Sequence, residues 1–160
     1  MSESLGPGST FAGCRLEAVA GRGGMGVVFR ATQLALQRPV ALKAIAPELA
    51  ADKDYRERFQ RESHLAASID HPNVIPVYEA GELDGTLYLM MRWVDGTDLR
   101  TLLTTSGSVS PGRAISLLRP VASALASSWS FVDSRPPRVT PSTTWTCINC
   151  WRRTLRTWSP

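Results

Sequence analysis

The sequence predicts an α+β fold, with a five-stranded antiparallel sheet, one helix after the third strand, further helices and an irregular tail. Three observations support this prediction. Apolar and polar residues alternate around the glycine-rich stretch "GRGGMGVVF", which is typical of two strands in a hairpin. Apolar residues recur at helical spacing over residues 52–69. The pair Asp84-Gly85 separates two later apolar runs and predicts a tight turn between strands.

The glycine-rich stretch contains Gly21, Gly23 and Gly26 in the spacing G-x-G-x-x-G. In a dinucleotide-binding fold a helix follows the third glycine, but here "VVF" follows and favours a strand. A P-loop is excluded because no Gly-Lys-Ser/Thr comes at the required offset. The glycines are therefore predicted to lie in a hairpin, which either covers a phosphate group or forms a flexible turn.

Lys43 falls in the middle of the predicted third strand, "RPVALKAI". A lysine in a buried strand is costly unless its ammonium group meets an anion. Glu62 lies near the apolar stripe of the helix over 52–69 and is predicted to pair with Lys43. Two alternatives remain at this point. Lys43 can lie on an edge strand and reach water, and Glu62 can pair with Arg58 on an exposed helix face.

Five stretches, in this order, resemble the N-terminal lobe of bacterial serine/threonine protein kinases. They are "GRGGMGVV", "VALK", "RES", "HPNVIPVYEAG" and "LYLMMRWVDGTDL". The resemblance covers about residues 11–126 and implies a kinase-like N-lobe with its αC helix, followed by the αD and αE helices. Ser110-Pro111 and the helical spacing of the apolar residues that follow independently predict the last of these helices.

An ATP-binding site is what this resemblance implies. The loop over the phosphates would consist of Gly21, Arg22, Gly23, Gly24, Met25 and Gly26. Lys43 would contact the α- and β-phosphates and pair with Glu62, and these two are the catalytic residues that the resemblance assigns. The adenine contacts would be Val28, Ala41 and the gatekeeper Met91, with the backbone of Arg92 and Val94. Asp98 would cap the next helix or lie near the ribose.

Two catalytic elements of the family are absent from the sequence. The family's H-R-D-x-x-x-x-N loop supplies the base and a metal ligand, and its D-F-G supplies another metal ligand. No histidine follows His71 and no D-F-G occurs, while "RVTPS" places Arg138 where the loop aspartate belongs. Arginine cannot act as that base. The sequence therefore predicts an ATP-binding kinase-like protein that is catalytically incomplete as written and lacks ligands for magnesium. The alternative is a non-catalytic nucleotide-binding or interaction module, in effect a truncated pseudokinase.

Composition changes abruptly near residue 127. Residues 127–160 contain five arginines and one acid, which account for the net charge of +4, and four of the five tryptophans. We take this as a hypothesis that the tail arises from a reading-frame change in a kinase gene. The predicted organisation is a disordered N-terminus over 1–10, an N-lobe over 11–94, a partial C-lobe over 95–126 and a disordered tail over 127–160.

Other site classes have weaker support in the sequence. Cys147 and Cys150 form a C-x-x-C, but no second Cys/His pair completes a zinc site, so no metal is expected. The basic, Trp-rich end is a distant candidate for nucleic-acid binding, and we expect none. No apolar run or leader suggests a membrane or secretory segment, which favours a cytoplasmic location. Self-association is expected through an exposed stripe on the last helix, formed by Ile115, Leu118, Val121, Ala122 and Leu125.

Overall fold

The computed structural model describes residues 5–133, and their side chains through Ser127. Within this range the chain forms two compact units. The first consists of residues 5–68 and 76–96, and the second of residues 69–75 and 97–133. The predictions for residues 1–4 and for the tail from residue 134, including Arg138 and the C-x-x-C, lie outside the described residues.

The first unit is built on an antiparallel sheet of six strands in the order β1-β2-β3-β4-β6-β5. The strands are β1 (Thr10–Phe11), β2 (Cys14–Gly23), β3 (Gly26–Gln33), β4 (Arg38–Ile45), β5 (Val77–Leu83) and β6 (Thr86–Arg92). Two helices follow β4 in the chain, α1 (Pro47–Ala50) and α2 (Lys53–Ala67). The predicted α+β fold is confirmed, with the predicted helix between the third and fourth of the predicted strands.

The sixth strand, β1, is a difference from the predicted sheet. Its two residues pair with the start of β2, and Phe11 packs edge-on against Tyr88 with ring centroids 5.6 Å apart. Before β1, the Gly8 N–H donates to the Leu16 carbonyl at 2.8 Å. Residues 5–10 therefore have a place beside the sheet, whereas the sequence predicted disorder there because so short a Gly/Pro/Ser segment shows no periodicity.

One face of the sheet carries the main hydrophobic core. Its buried members include Cys14, Leu16, Phe29, Leu42 and Met90, which come from four strands. Because side chains alternate along a strand, β4 sends Leu42 to this face and Lys43 to the other. Both faces of β4 are covered, and all residues from Val40 to Ile45 are buried.

Tyr88 is the polar member of this core. Its hydroxyl donates to a carboxylate oxygen of Glu79 on the neighbouring strand. Burial of the phenol, with the Glu79 hydrogen bond and negative charge, raises the pKa of Tyr88 to about 12. The neutral phenol is therefore the form that stabilises the fold. Its contribution to stability is fully present at pH values below the ordinary pKa of 10 and is lost as the pH rises toward 12.

A smaller apolar cluster holds α1 and α2 on the other face of the sheet. It consists of Ile45, Ala50 and Leu87, with Leu49, Tyr55 and Phe59 packed against them. The Asp52 side chain starts α2 by accepting the Tyr55 N–H at 3.0 Å. An ion pair between Arg56 and Glu82 joins α2 to β5. This packing places α2 on the face of the sheet that carries Lys43.

The second unit contains α3 (Leu99–Ser106) and α4 (Pro111–Asp133). Helix α4 begins after Ser110 as predicted, but it runs seven residues past the predicted end at residue 126. The composition change at residue 127 therefore does not end the helix. Among the described residues, no helix has the length and apolarity that a membrane span requires.

The predicted apolar stripe of α4 is exposed to solvent. The exposed fractions are 65% for Ile115, 57% for Leu118, 52% for Val121 and 45% for Leu125. In the same unit, His71 accepts the Asn73 N–H through Nδ1 and hydrogen-bonds Ser123 through Nε2, at 3.1 and 3.2 Å. His71 thus links the "HPN" turn to α4 within this unit.

Gly26 is the glycine of the hairpin that the fold most requires. Its φ is +132°, and a Cβ added there would lie 2.0 Å from the Ala44 carbonyl oxygen. We expect Gly26→Ala to lower the free energy of unfolding by roughly 2–4 kcal/mol, because both strain and a backbone clash result. Urea denaturation of the two proteins measures the difference.

Gly24→Ala is the matched control for this prediction. Nothing lies within 4 Å of a Cβ at Gly24, and its φ is not positive. Its effect on the unfolding free energy should stay within about 0.5 kcal/mol. Equal losses in the two variants would contradict the assignment of the clash to Gly26.

Candidate functional site

The glycine-rich stretch forms a tight hairpin, as predicted. Gly23 at the end of β2 pairs with Gly26 at the start of β3, and Gly24-Met25 forms the two-residue turn. The Met25 carbonyl accepts the Ala46 N–H at 3.0 Å, so one side of the turn is attached to the chain just beyond β4. Arg22 and Gly24 are exposed, which leaves the tip accessible to a ligand.

Lys43 is buried, with only 5% of its surface exposed. In the sheet register it lies between Val28 on β3 and Leu89 on β6. Because β4 is a central strand, the alternative of an edge-strand lysine reaching water is wrong. A buried ammonium group requires compensating negative charge or hydrogen bonds. The side chain therefore suits an anion-binding role at this position.

Glu62 lies on α2 and is half-buried, next to the buried residues Ser63 and Ala66 of the same helix. Since α2 packs on the Lys43 face of the sheet, Glu62 belongs to the element that covers that face. The exposed-face alternative with Arg58 fits this burial less well. The pairing of Glu62 with Lys43 stays a prediction.

The residues predicted to contact adenine form an apolar row near Lys43. Ala41 pairs directly with Met91 across β4 and β6, and Val28 lies opposite Lys43 on β3. Their exposed fractions are 2% for Val28, 3% for Ala41 and 9% for Met91. By strand alternation all three point to the face that carries Lys43. The three side chains therefore form a buried apolar row beside Lys43.

The chain leaves the sheet directly after this row. Strand β6 ends at Arg92, whose N–H donates to the Pro76 carbonyl at 3.1 Å. Val94 is 41% exposed, and within residues 5–133 no backbone hydrogen bond uses its N–H or carbonyl. A free backbone donor and acceptor next to an apolar pocket can bind the polar edge of a planar base.

Asp98 lies in the second unit and caps α3. Its side chain accepts the Thr101 N–H at 2.6 Å, which satisfies a free backbone donor of the first turn. The capping role named from the sequence is thus present in the geometry. A role of Asp98 near a ribose stays a prediction.

Trp93 is a site feature that the sequence analysis missed. Its Nε1 donates to Asp95 at 2.8 Å, and the Arg30 guanidinium lies 5.6 Å from the ring centroid. Arg30 also forms a 3.4 Å ion pair with Glu17 on β2. Nothing in the sequence pattern brings these residues together, because the contacts cross between strands.

The described residues suit ATP better than they suit a metal ion. The buried Lys43, the accessible glycine turn and the free Val94 backbone match phosphate and adenine groups. In contrast, residues 5–133 contain no cluster of three or more His, Cys, Asp or Glu side chains that would hold a metal ion.

Comparisons with known proteins agree with this geometry. A family model described as "Protein kinase domain" matches residues 15–130. The chain is 42% identical over 118 residues to the serine/threonine-protein kinase PknE of Mycobacterium bovis, covering 74% of this chain and 21% of that protein. It is 42% identical over 125 residues to PknJ of the same organism, covering 78% of this chain and 21% of that protein.

A solved structure has the same fold. The kinase domain of Mycobacterium tuberculosis PknI superposes with a TM-score of 0.72 at 34% identity, covering 78% of this chain and 51% of that chain. The chain thus spans about a fifth of the length of the curated relatives and about half of the solved domain.

Proposed function

The chain belongs to the bacterial serine/threonine protein kinase family, and from this membership we propose that its first unit binds ATP along the Lys43 face of the sheet. The observation that carries the proposal is the burial of Lys43 on β4, between Val28 of the hairpin strand and Leu89 of β6, on the same face as Ala41 and Met91. A cation beside an apolar row matches a ligand that has an aromatic base and an anionic chain.

Each residue has a distinct part in this proposal. The hairpin from Gly21 to Gly26 covers the phosphates, where glycine allows the backbone to come close. Lys43 contacts the α- and β-phosphates, and Glu62 holds the lysine in position. Adenine lies between Val28 and Ala41, with Met91 behind it, and hydrogen-bonds the backbone of Arg92 and Val94.

In the intact family the bound ATP donates its γ-phosphoryl group to a serine or threonine of a protein. We propose that the 160 residues as written are catalytically incomplete. They lack the aspartate that accepts the hydroxyl proton and the D-F-G aspartate that binds magnesium. The second candidate, a non-catalytic nucleotide-binding module, is favoured by the same absence of acids for this polypeptide.

Weak binding of ATP is the first expected result. The first unit contains the residues proposed to contact adenine, and Lys43, but the sequence has no D-F-G aspartate or catalytic-loop asparagine to hold the magnesium that neutralises the phosphates. We expect a dissociation constant of roughly 1 mM that magnesium changes little. Lys43→Ala should weaken binding about tenfold, because a charged hydrogen bond to the phosphates is lost.

Isothermal titration calorimetry with and without magnesium measures these affinities. Lys53→Ala is the control, since Lys53 is the other lysine of the sequence and is exposed at the start of α2. Tight binding that depends strongly on magnesium would contradict the prediction, as would equal losses in the two lysine variants.

Phosphoryl transfer far below the family's rate is the second expected result. A catalytic acid or base must lie within about 2.6–3.2 Å of the reacting group, and each such group contributes about 10²–10³-fold. Labelled ATP with a generic basic protein substrate, run beside Lys43→Ala, measures the rate. Incorporation well above that control would contradict catalytic incompleteness.

The exposed stripe of α4 supports a proposal of self-association. Contiguous exposed apolar side chains favour association between molecules. We expect the protein to bind an apolar dye and to show a concentration-dependent mass in light scattering. Leu118→Glu should reduce both signals, whereas Ser116→Glu, an exposed position on the same helix, should leave them unchanged. A monomer at all concentrations without dye binding would refute this proposal.

A further inference from the structure

The segment that would hydrogen-bond adenine lies outside the sheet ladder. Strand β6 ends at Arg92, and the chain from Trp93 to Asp95 has no regular secondary structure. The position of the Val94 backbone therefore depends on what holds this short segment. A binding group whose position varies loses affinity, because ordering it on binding costs entropy.

Trp93 is the residue by which this segment is attached to the sheet. The ring has the Arg30 guanidinium 5.6 Å from its centroid, and its Nε1 donates to Asp95 at 2.8 Å. The contact with Arg30 connects the segment to β3, and the hydrogen bond to Asp95 connects the two residues on either side of Val94. Trp93 itself is half-buried, so these contacts are partly shielded from water.

Arg30 is in turn held by its neighbours in the sheet. Its Nε lies 3.4 Å from a carboxylate oxygen of Glu17, and the other carboxylate oxygen accepts the Thr32 hydroxyl at 2.6 Å. A single exposed ion pair contributes little. Here, however, three linked contacts run from Thr32 through Glu17 and Arg30 to the Trp93 ring, so the guanidinium is held from two sides.

The strand register places this network beside the proposed nucleotide site. Arg30 pairs with Ala41, and Ala41 pairs with Met91, so a row crosses three strands on the Lys43 face. Trp93 lies two residues beyond Met91. The network from Thr32 to Trp93 therefore lies next to the apolar row, on the side where the Arg92–Val94 backbone leaves the sheet.

We propose that Trp93 is a positioning residue of the nucleotide site, which fixes the Arg92–Val94 backbone for the base through Arg30 and Asp95. The proposal rests on the proposed ATP site. Trp93 acts on the base end of the ligand, because Arg30 is paired near the start of β4, whereas Lys43 and Gly26, assigned to the phosphates, lie toward the other ends of β4 and β3. Base recognition and phosphate recognition are thus separable in experiment.

The test uses the full chain and three probes: adenosine, ATP and inorganic tripolyphosphate. We expect Trp93→Leu to weaken adenosine and ATP binding by about five- to tenfold, the equivalent of one backbone hydrogen bond, and to leave tripolyphosphate binding unchanged. Trp93→Phe keeps a ring beside Arg30 but loses the bond to Asp95, and its effect should be intermediate.

Tyr55→Leu is the matched control. The Arg58 guanidinium lies 5.3 Å from the Tyr55 ring centroid on α2, which packs near Ile45 and Leu87 at the other ends of β4 and β6, so this variant removes a comparable cation–ring contact away from the Arg92–Val94 segment. It should bind all three probes as the wild type does. Thermal unfolding of each variant checks that the fold is retained.

The outcomes separate the two proposals. If the wild type binds adenosine and Trp93→Leu binds it with the same affinity, the role of Trp93 is overturned and the proposed ATP site stands. Equal losses for adenosine and tripolyphosphate show a general structural effect and also overturn it. Failure of the wild type to bind adenosine or ATP overturns the ATP site, and the positioning role with it.

Discussion

Burial of one ammonium group in the central strand sets the requirements for the rest of the first unit. Lys43 has strands on both sides and covered surface above and below it. Its cross-strand neighbours, Val28 and Leu89, are apolar and supply no charge. The groups that compensate its charge therefore lie elsewhere than in these two neighbours, and helix α2 packs on the face that carries Lys43. The hairpin, the helix and the apolar row all border this position.

The two faces of the sheet are covered in different ways. The side with Phe29, Leu42 and Met90 is fully buried and carries most of the apolar burial of this unit. The opposite side needs only the small Ile45 cluster to seat α2. This face can therefore carry Lys43 and the apolar row beside it while the main core on the other face stays intact. Because β4 contributes to both faces, its sequence is a continuous apolar run interrupted by one charge.

Local patterns in the sequence predicted most of the fold. Strand alternation, the Asp84-Gly85 turn and the period of α2 depend on near neighbours, and the structure contains each of them. The sequence analysis missed β1 and α1, which are two and four residues long and too short to show a period. It also ended α4 too early, because a change in composition does not by itself stop a helix.

The site was predictable only where a family pattern specifies it. The structure places the glycines in a hairpin and Lys43 in a buried strand, as the sequence patterns predicted, while the roles that the resemblance assigned to Lys43, Met91 and the glycines stay predictions. The contacts of Trp93 with Arg30 were not predictable, since they connect residues that are 63 positions apart and depend on the twist and spacing of three strands. The capping bond of Asp98 needed only its neighbour Thr101, and the sequence analysis named that role.

The two arms of the glycine hairpin are unequally held. The β3 arm pairs with β4 without a break in register from Gly26 to Gln33, and the Met25 carbonyl continues this attachment to Ala46. The β2 arm has register shifts between Leu16 and Ala18 and again between Val19 and Gly21. Irregular pairing of this kind bends a strand and weakens its ladder. The β2 arm should therefore move outward more readily than the β3 arm, so that any opening of the hairpin pivots along β3 while the Gly26 side stays fixed.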